Sequence, residues 1–75
     1  MKRFMQFSDI IDIIWELPVK TVIKEVRTDK TYILEEFMLM NVAYRAFTLD
    51  NGIVQTADPN SVFEIVRYVG EDNDE

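Results

Sequence analysis

The chain contains no cysteine and no histidine. Disulfide staples and Cys/His zinc sites are therefore excluded, along with the commonest general base and most transition-metal ligands. Only two glycines are present, Gly52 and Gly70, too far apart for a phosphate-cradling loop. Ser8 and Ser61 have no histidine to activate them. Carboxylates are plentiful, and a pair of them can hydrolyse a glycosidic bond. A domain of 75 residues, however, has little room for a cleft that excludes water from substrate. The expectation is a protein that is not an enzyme and takes no cofactor.

Long hydrophobic runs are also missing. Asp9, Asp12 and Glu16 interrupt the apolar residues that follow Lys2 and Arg3, so neither a signal peptide nor a membrane span is expected. The absence of cysteine fits a reducing compartment, and a cytoplasmic protein without a membrane partner is the expectation. Basic residues form no patch. Lys2, Arg3, Lys20, Lys24, Arg27, Lys30, Arg45 and Arg67 are scattered, which argues against direct binding to nucleic acid. Asp50-Asn51-Gly52 and the acidic C-terminal stretch are oxygen-rich, but neither has the spacing of a calcium loop. No metal ligands are assigned.

What is present is an excess of acid and of apolar surface. Fourteen acidic residues against eight basic ones give a net charge of −6. Glu71, Asp72, Asp74 and Glu75 supply four of those charges. This divides the chain into a single globular domain over 1–70 and an acidic, disordered tail over 71–75. Hydrophobic residues make up 48% of the chain. So small an interior cannot hold them all, and surplus apolar surface points to oligomerisation or a binding face.

The expected elements begin with a helix over Ser8–Leu17. Ser8 is a capping residue, Asp9 sits in the first turn, and Pro18 ends the run. Asp9, Asp12 and Glu16 fall on one face of that helix as an acidic ridge. Residues 19–27 have helical spacing at Val19, Val22, Ile23 and Val26, but their β-branched composition favours a strand over about Lys20–Arg27. That strand turns at Thr28–Thr31 and returns over Tyr32–Asn41, where Leu34, Glu35, Glu36 and Met38 also suit a helix. Asp50-Asn51-Gly52 predicts a hairpin between Tyr44–Leu49 and Ile53–Thr56. Asp58-Pro59-Asn60 marks another turn, and Ser61–Val69 reads as a last strand rather than a helix. The fold class expected is α+β, an N-terminal helix followed by a small antiparallel sheet or partly open barrel of four to five strands.

Two features are candidates for function. In Phe37-Met38-Leu39-Met40, a strand places Phe37 and Leu39 on one face and Met38 and Met40 on the other. Those faces could lie in the core and under the helix, or the Met face could be an adaptable contact surface. The ridge Asp9, Asp12, Glu16 is either an ordinary solvated helix face or an imitation of phosphate spacing. In size and charge alone the latter resembles the small acidic inhibitors encoded by bacteriophages. The partner-binding residues expected are therefore Asp9, Asp12, Glu16, Met38 and Met40. They suit a module that regulates or inhibits another protein, including one that itself binds nucleic acid. The competing expectation is a structural or assembly subunit that homo-oligomerises through its surplus apolar surface. A small barrel that binds nucleic acid through Arg45, Arg67 and aromatic residues is the weakest reading, because the balance of charge opposes it.

Overall fold

A computed structural model describes residues 3–67. Five antiparallel strands form a half-barrel closed on one side by a short helix. In chain order they are β1 (Phe4–Gln6), α1 (Phe7–Asp12), β2 (Val22–Glu25), β3 (Thr31–Leu39), β4 (Val42–Thr48) and β5 (Val62–Arg67). The sheet order is β1-β5-β2-β3-β4, so the last strand of the chain lies between the first two. Tyr68 and Val69, and the acidic tail expected over 71–75, lie outside the described residues.

The helix departs from expectation at both ends. It follows β1 rather than opening the fold, and it spans six residues instead of Ser8–Leu17. Gln6 occupies the cap position without a side-chain bond. The first free amides are satisfied from afar: Phe7 N–H donates to Ser61 O at 2.9 Å and Ser8 N–H to Pro59 O at 3.0 Å. Ser8 therefore has no capping role.

At the other end, Ile10, Ile11, Ile13 and Ile14 crowd χ1 and weaken helix propensity. The chain tightens into i→i−3 turns, with Ile13 N–H on Ile10 O at 3.1 Å and Glu16 N–H on Ile13 O at 2.8 Å. These turns bring Ile14 and Leu17 into the core beside Phe7 and Ile10.

The sheet supplies the rest of that core. Ile23, Tyr32, Leu34, Phe47, Phe63 and Ile65 point inward at period two and are buried. Phe7 lies with its ring centroid 5.3 Å from Phe63 and 5.9 Å from Phe47, and Tyr32 meets Phe63 edge-on at 5.5 Å. Burial, reinforced by the Glu25 carboxylate, raises the Tyr32 phenol above its ordinary pKa of 10.0. Glu25 is itself buried and accepts a bond from Thr28 Oγ at 2.8 Å.

β2 is shorter than the strand expected over Lys20–Arg27. Asp29 adopts φ +64° in the tight turn that follows, bonded through Asp29 N–H to Glu25 O at 2.8 Å. The expected hairpin at Asp50-Asn51-Gly52 is only half present. Gly52 has φ +85° and its N–H reaches Leu49 O at 2.9 Å, so the turn exists. Ile53–Thr56 does not form a strand, however, and meets β4 only at the bridge Thr48–Val54. The chain has to leave β4 there because β5 is placed on the far side of the sheet, beside β1 and β2.

Candidate protein-binding surface

The hairpin that does form joins β3 to β4 through Met40 and Asn41, with Leu39 paired to Val42. Both turn residues have positive φ, 51° and 69°, the type I′ geometry that matches sheet twist. Met40 is therefore a turn residue, and the expected strand face shared by Met38 and Met40 does not exist. Local sequence signals this turn weakly, because it contains no glycine; Asn41 is its one compatible residue.

This hairpin outgrows the sheet. β2 pairs with β3 as far as Val22–Ile33, and Lys20 and Thr21 add backbone bonds to Leu34. Past Glu35, among the described residues, the strand pairs with β4 alone, through Glu36–Arg45, Phe37–Tyr44, Met38–Ala43 and Leu39–Val42. The result is a two-stranded ribbon roughly 14 Å long at 3.4 Å per residue.

Its base is clamped by Arg45. Arg45 Nη1 donates to Ile14 O at 3.0 Å and Leu17 O at 2.7 Å, and Nε donates to Glu36 Oε1 at 3.0 Å. The guanidinium also lies 4.8 Å from the centroid of the Trp15 ring. One side chain thus caps the carbonyls left open by the irregular turns after α1 and ties them to the ribbon.

Beyond that clamp the ribbon is apolar on both faces. Phe37, Leu39, Val42 and Tyr44 occupy the outer face, all exposed. Met38 lies on the inner face, 66% exposed, and Met40 at the tip is 88% exposed. Neither candidate face is in the core or under the helix. Four large apolar side chains therefore share the outer face of the ribbon, with Met38 behind them and Met40 at the tip, all open to solvent.

The outer sheet face continues the pattern with exposed Phe4, Val62 and Val66. An antiparallel sheet with one solvated face ordinarily alternates apolar-in and polar-out. Here several outward positions are apolar as well, alongside the polar Lys24, Glu35 and Glu64, which also explains why strand and helix periodicities are hard to separate in the sequence.

The acidic candidates are placed differently. Asp9 and Asp12 are exposed on α1, and Glu16 is exposed in the turns beyond its end. They do not form one helical ridge, because the helix stops at Asp12. Among the described residues, no group of three or more acidic side chains is arranged to hold a metal ion. The depression lined by Phe4, Met5, Gln6, Asp9 and Val62 is open to solvent. No helix among the described residues is long and apolar enough to cross a membrane.

Comparison with known protein families, with curated proteins and with solved structures finds no match to the chain. Function must accordingly be argued from the surface itself. Val42, Tyr44 and Trp15 belong to that surface and were not among the expected binding residues. The exposure of Val42 and Tyr44 follows from how far β3 and β4 extend beyond β2, which local patterning does not encode; Trp15 stands in the turns after α1, against Arg45.

Proposed function

We propose that this chain is a non-catalytic protein-binding module that regulates its partner by docking the β3–β4 ribbon. One observation carries the reading: the ribbon exposes Phe37, Met38, Leu39, Met40, Val42 and Tyr44 together while its base is held rigid by Arg45. Solvating so many apolar side chains is unfavourable, and a partner that covers them recovers about 25 cal/mol per Å² before association costs. Met38 and Met40 give the tip flexible, polarizable side chains that adapt to a groove. Phe37 and Tyr44 provide aromatic anchors of the kind that dominate protein interfaces.

The exposed carboxylates of Asp9, Asp12 and Glu16 take a secondary role in this reading, steering a basic partner by long-range attraction. Phosphate mimicry by a fixed helical ridge loses its geometric basis, since Glu16 is not on α1.

The test compares two variants as bait in the cells that make the protein. Replacing Met38 and Met40 with Ser should abolish recovery of the partner while leaving the urea midpoint in place, because both side chains are exposed. Reversing the charges of Asp9, Asp12 and Glu16 should leave the partner bound and lessen the salt dependence of its association. Full recovery with the Met variant would overturn the reading.

A further inference from the structure

At the end of β4 away from the ribbon tip, the chain folds the Asn51 side chain back over the Gly52 peptide. Asn51 Oδ1 accepts a hydrogen bond from Ile53 N–H at 3.1 Å, which makes the segment an Asx turn. Gly52 has φ +85°, and its own N–H donates to Leu49 O at 2.9 Å. Asn51 and Gly52 are both exposed, and a Cβ at Gly52 would meet nothing within 4 Å. The turn is therefore open to water, and its side-chain carboxamide stands next to a backbone nitrogen that no side chain crowds.

We propose that Asn51 is a self-modifying site, at which the Gly52 nitrogen closes on the Asn51 carboxamide and water then opens the ring. The Gly52 N–H gives its proton to hydroxide, and the nitrogen forms a bond to Asn51 Cγ. The tetrahedral adduct carries its negative charge on Oδ1. Its collapse breaks the Cγ–Nδ2 bond and releases ammonia, leaving a succinimide. Water adds to either imide carbonyl. Breaking the Cγ–N bond gives aspartate, and breaking the original peptide bond gives isoaspartate. The net change is loss of ammonia and gain of water.

The fold favours this reaction at Asn51 over the other asparagines. The oxygen that becomes the oxyanion already accepts the Ile53 N–H, a donor in place before the charge develops. The bond to Leu49 O directs the Gly52 N–H away from the carboxamide, so the proton does not stand between the reacting atoms. Holding nucleophile and electrophile in one turn removes the entropy cost of bringing them together. Asn41 precedes Val42, which is branched at Cβ and paired with Leu39 in the hairpin. Asn60 precedes Ser61, whose N–H donates to Asp58 O at 2.9 Å and whose carbonyl accepts from Phe7 N–H at 2.9 Å. Asn73 lies outside the described residues.

Either product changes the turn. Aspartate adds a negative charge next to Asp50 in a chain that is already acidic. Isoaspartate routes the main chain through Cβ and Cγ and so lengthens the segment between Leu49 and Ile53. The 2.9 Å bond from Leu49 N–H to Ile53 O then loses its geometry, and the Thr48–Val54 bridge beside it loosens. This site is remote from the ribbon tip, and the inference is independent of the docking reading.

The intact chain, incubated at mildly alkaline pH and mapped by fragmentation mass spectrometry, should gain about 1 Da at Asn51 well before Asn41 or Asn60 changes. Methyl transfer from S-adenosylmethionine by isoaspartyl methyltransferase should identify isoaspartate among the products. Ile53→Pro removes the N–H that faces Oδ1 but keeps the carbonyl that Leu49 uses, and should slow the native reaction about tenfold or more. That difference should vanish in urea, where the turn is lost. Gly52→Ala crowds the attacking nitrogen and should slow conversion in buffer and in urea alike, whatever its effect on folding. A native chain that keeps its mass while the same chain converts in urea overturns the proposal, as does equal conversion at Asn41 or Asn60. A native rate unchanged by Ile53→Pro overturns the part assigned to the Ile53 amide.

Discussion

Replacing Arg45 with Ala should destabilise the fold by about 2–4 kcal/mol. Three kinds of contact disappear together: two bonds to the Ile14 and Leu17 carbonyls, the Glu36 ion pair, and the contact with Trp15. A hydrogen bond from a charged donor contributes about 1.5–3 kcal/mol where it is shielded from water. The Arg45 side chain is only 14% exposed, so most of that range applies to the carbonyl bonds. Glu36 is more open to solvent and adds little, since exposed pairs are worth about 0–1 kcal/mol. At about 0.05–0.15 kcal/mol per residue, a domain of this length holds only about 4–11 kcal/mol in total.

Urea unfolding monitored by Trp15 fluorescence is the assay. The chain has one tryptophan and Arg45 lies against it, so the signal reports the clamp directly. Arg45→Lys should recover part of the loss, as a point charge reaches one carbonyl but not the forked geometry. A loss below about 0.5 kcal/mol for Arg45→Ala, the range of ordinary surface substitutions, would refute the claim that this residue anchors the ribbon.

Further outcomes are expected elsewhere in the sheet. Gly52→Val should cost about 1 kcal/mol or more in stability, read from the urea midpoint, because the backbone there has positive φ while a Cβ would meet nothing within 4 Å; Gly52→Asn should cost less. Placing Asn-Gly at Met40-Asn41 should raise the midpoint, since both positions have positive φ, and a lowered midpoint would contradict the type I′ turn. The raised Tyr32 pKa favours the neutral phenol in the folded state, so its contribution is complete below the unfolded value near 10 and declines as pH rises through the folded value. Comparing urea midpoints from pH 8 upward, Tyr32→Phe should flatten that alkaline decline; identical slopes would remove Tyr32 as its source.

The parts of the fold legible in the sequence are those set by local chemistry. β-branched runs marked β2 and β5, and Gly52 marked a turn with positive φ. What stayed hidden depends on distant partners. Phe4-Met5-Gln6 is a strand only because β5 offers its other edge to Phe4–Gln6. The helix begins without a side-chain cap because the Ser61 and Pro59 carbonyls accept from Phe7 and Ser8, and beyond Asp12 Arg45 satisfies the Ile14 and Leu17 carbonyls that the irregular turns leave open. The Met40-Asn41 turn lacks the glycine that betrays such turns, and without that signal Met40 falls on the wrong face. The binding surface was half visible. Met38 and Met40 stand on it, while Val42 and Tyr44 join it through cross-strand pairing that no single stretch of sequence displays.

The central claim is that the ribbon tip is a protein contact. A photoreactive phenylalanine analogue at Leu39, introduced in the cells that make the protein and activated by light, tests it whatever the partner is. The same analogue at Asp12 on α1 serves as the comparison. The account predicts a discrete protein adduct from position 39, lost when Met38 and Met40 are Ser, and at most weak labelling from position 12. Adducts from position 12 with none from position 39 would contradict it.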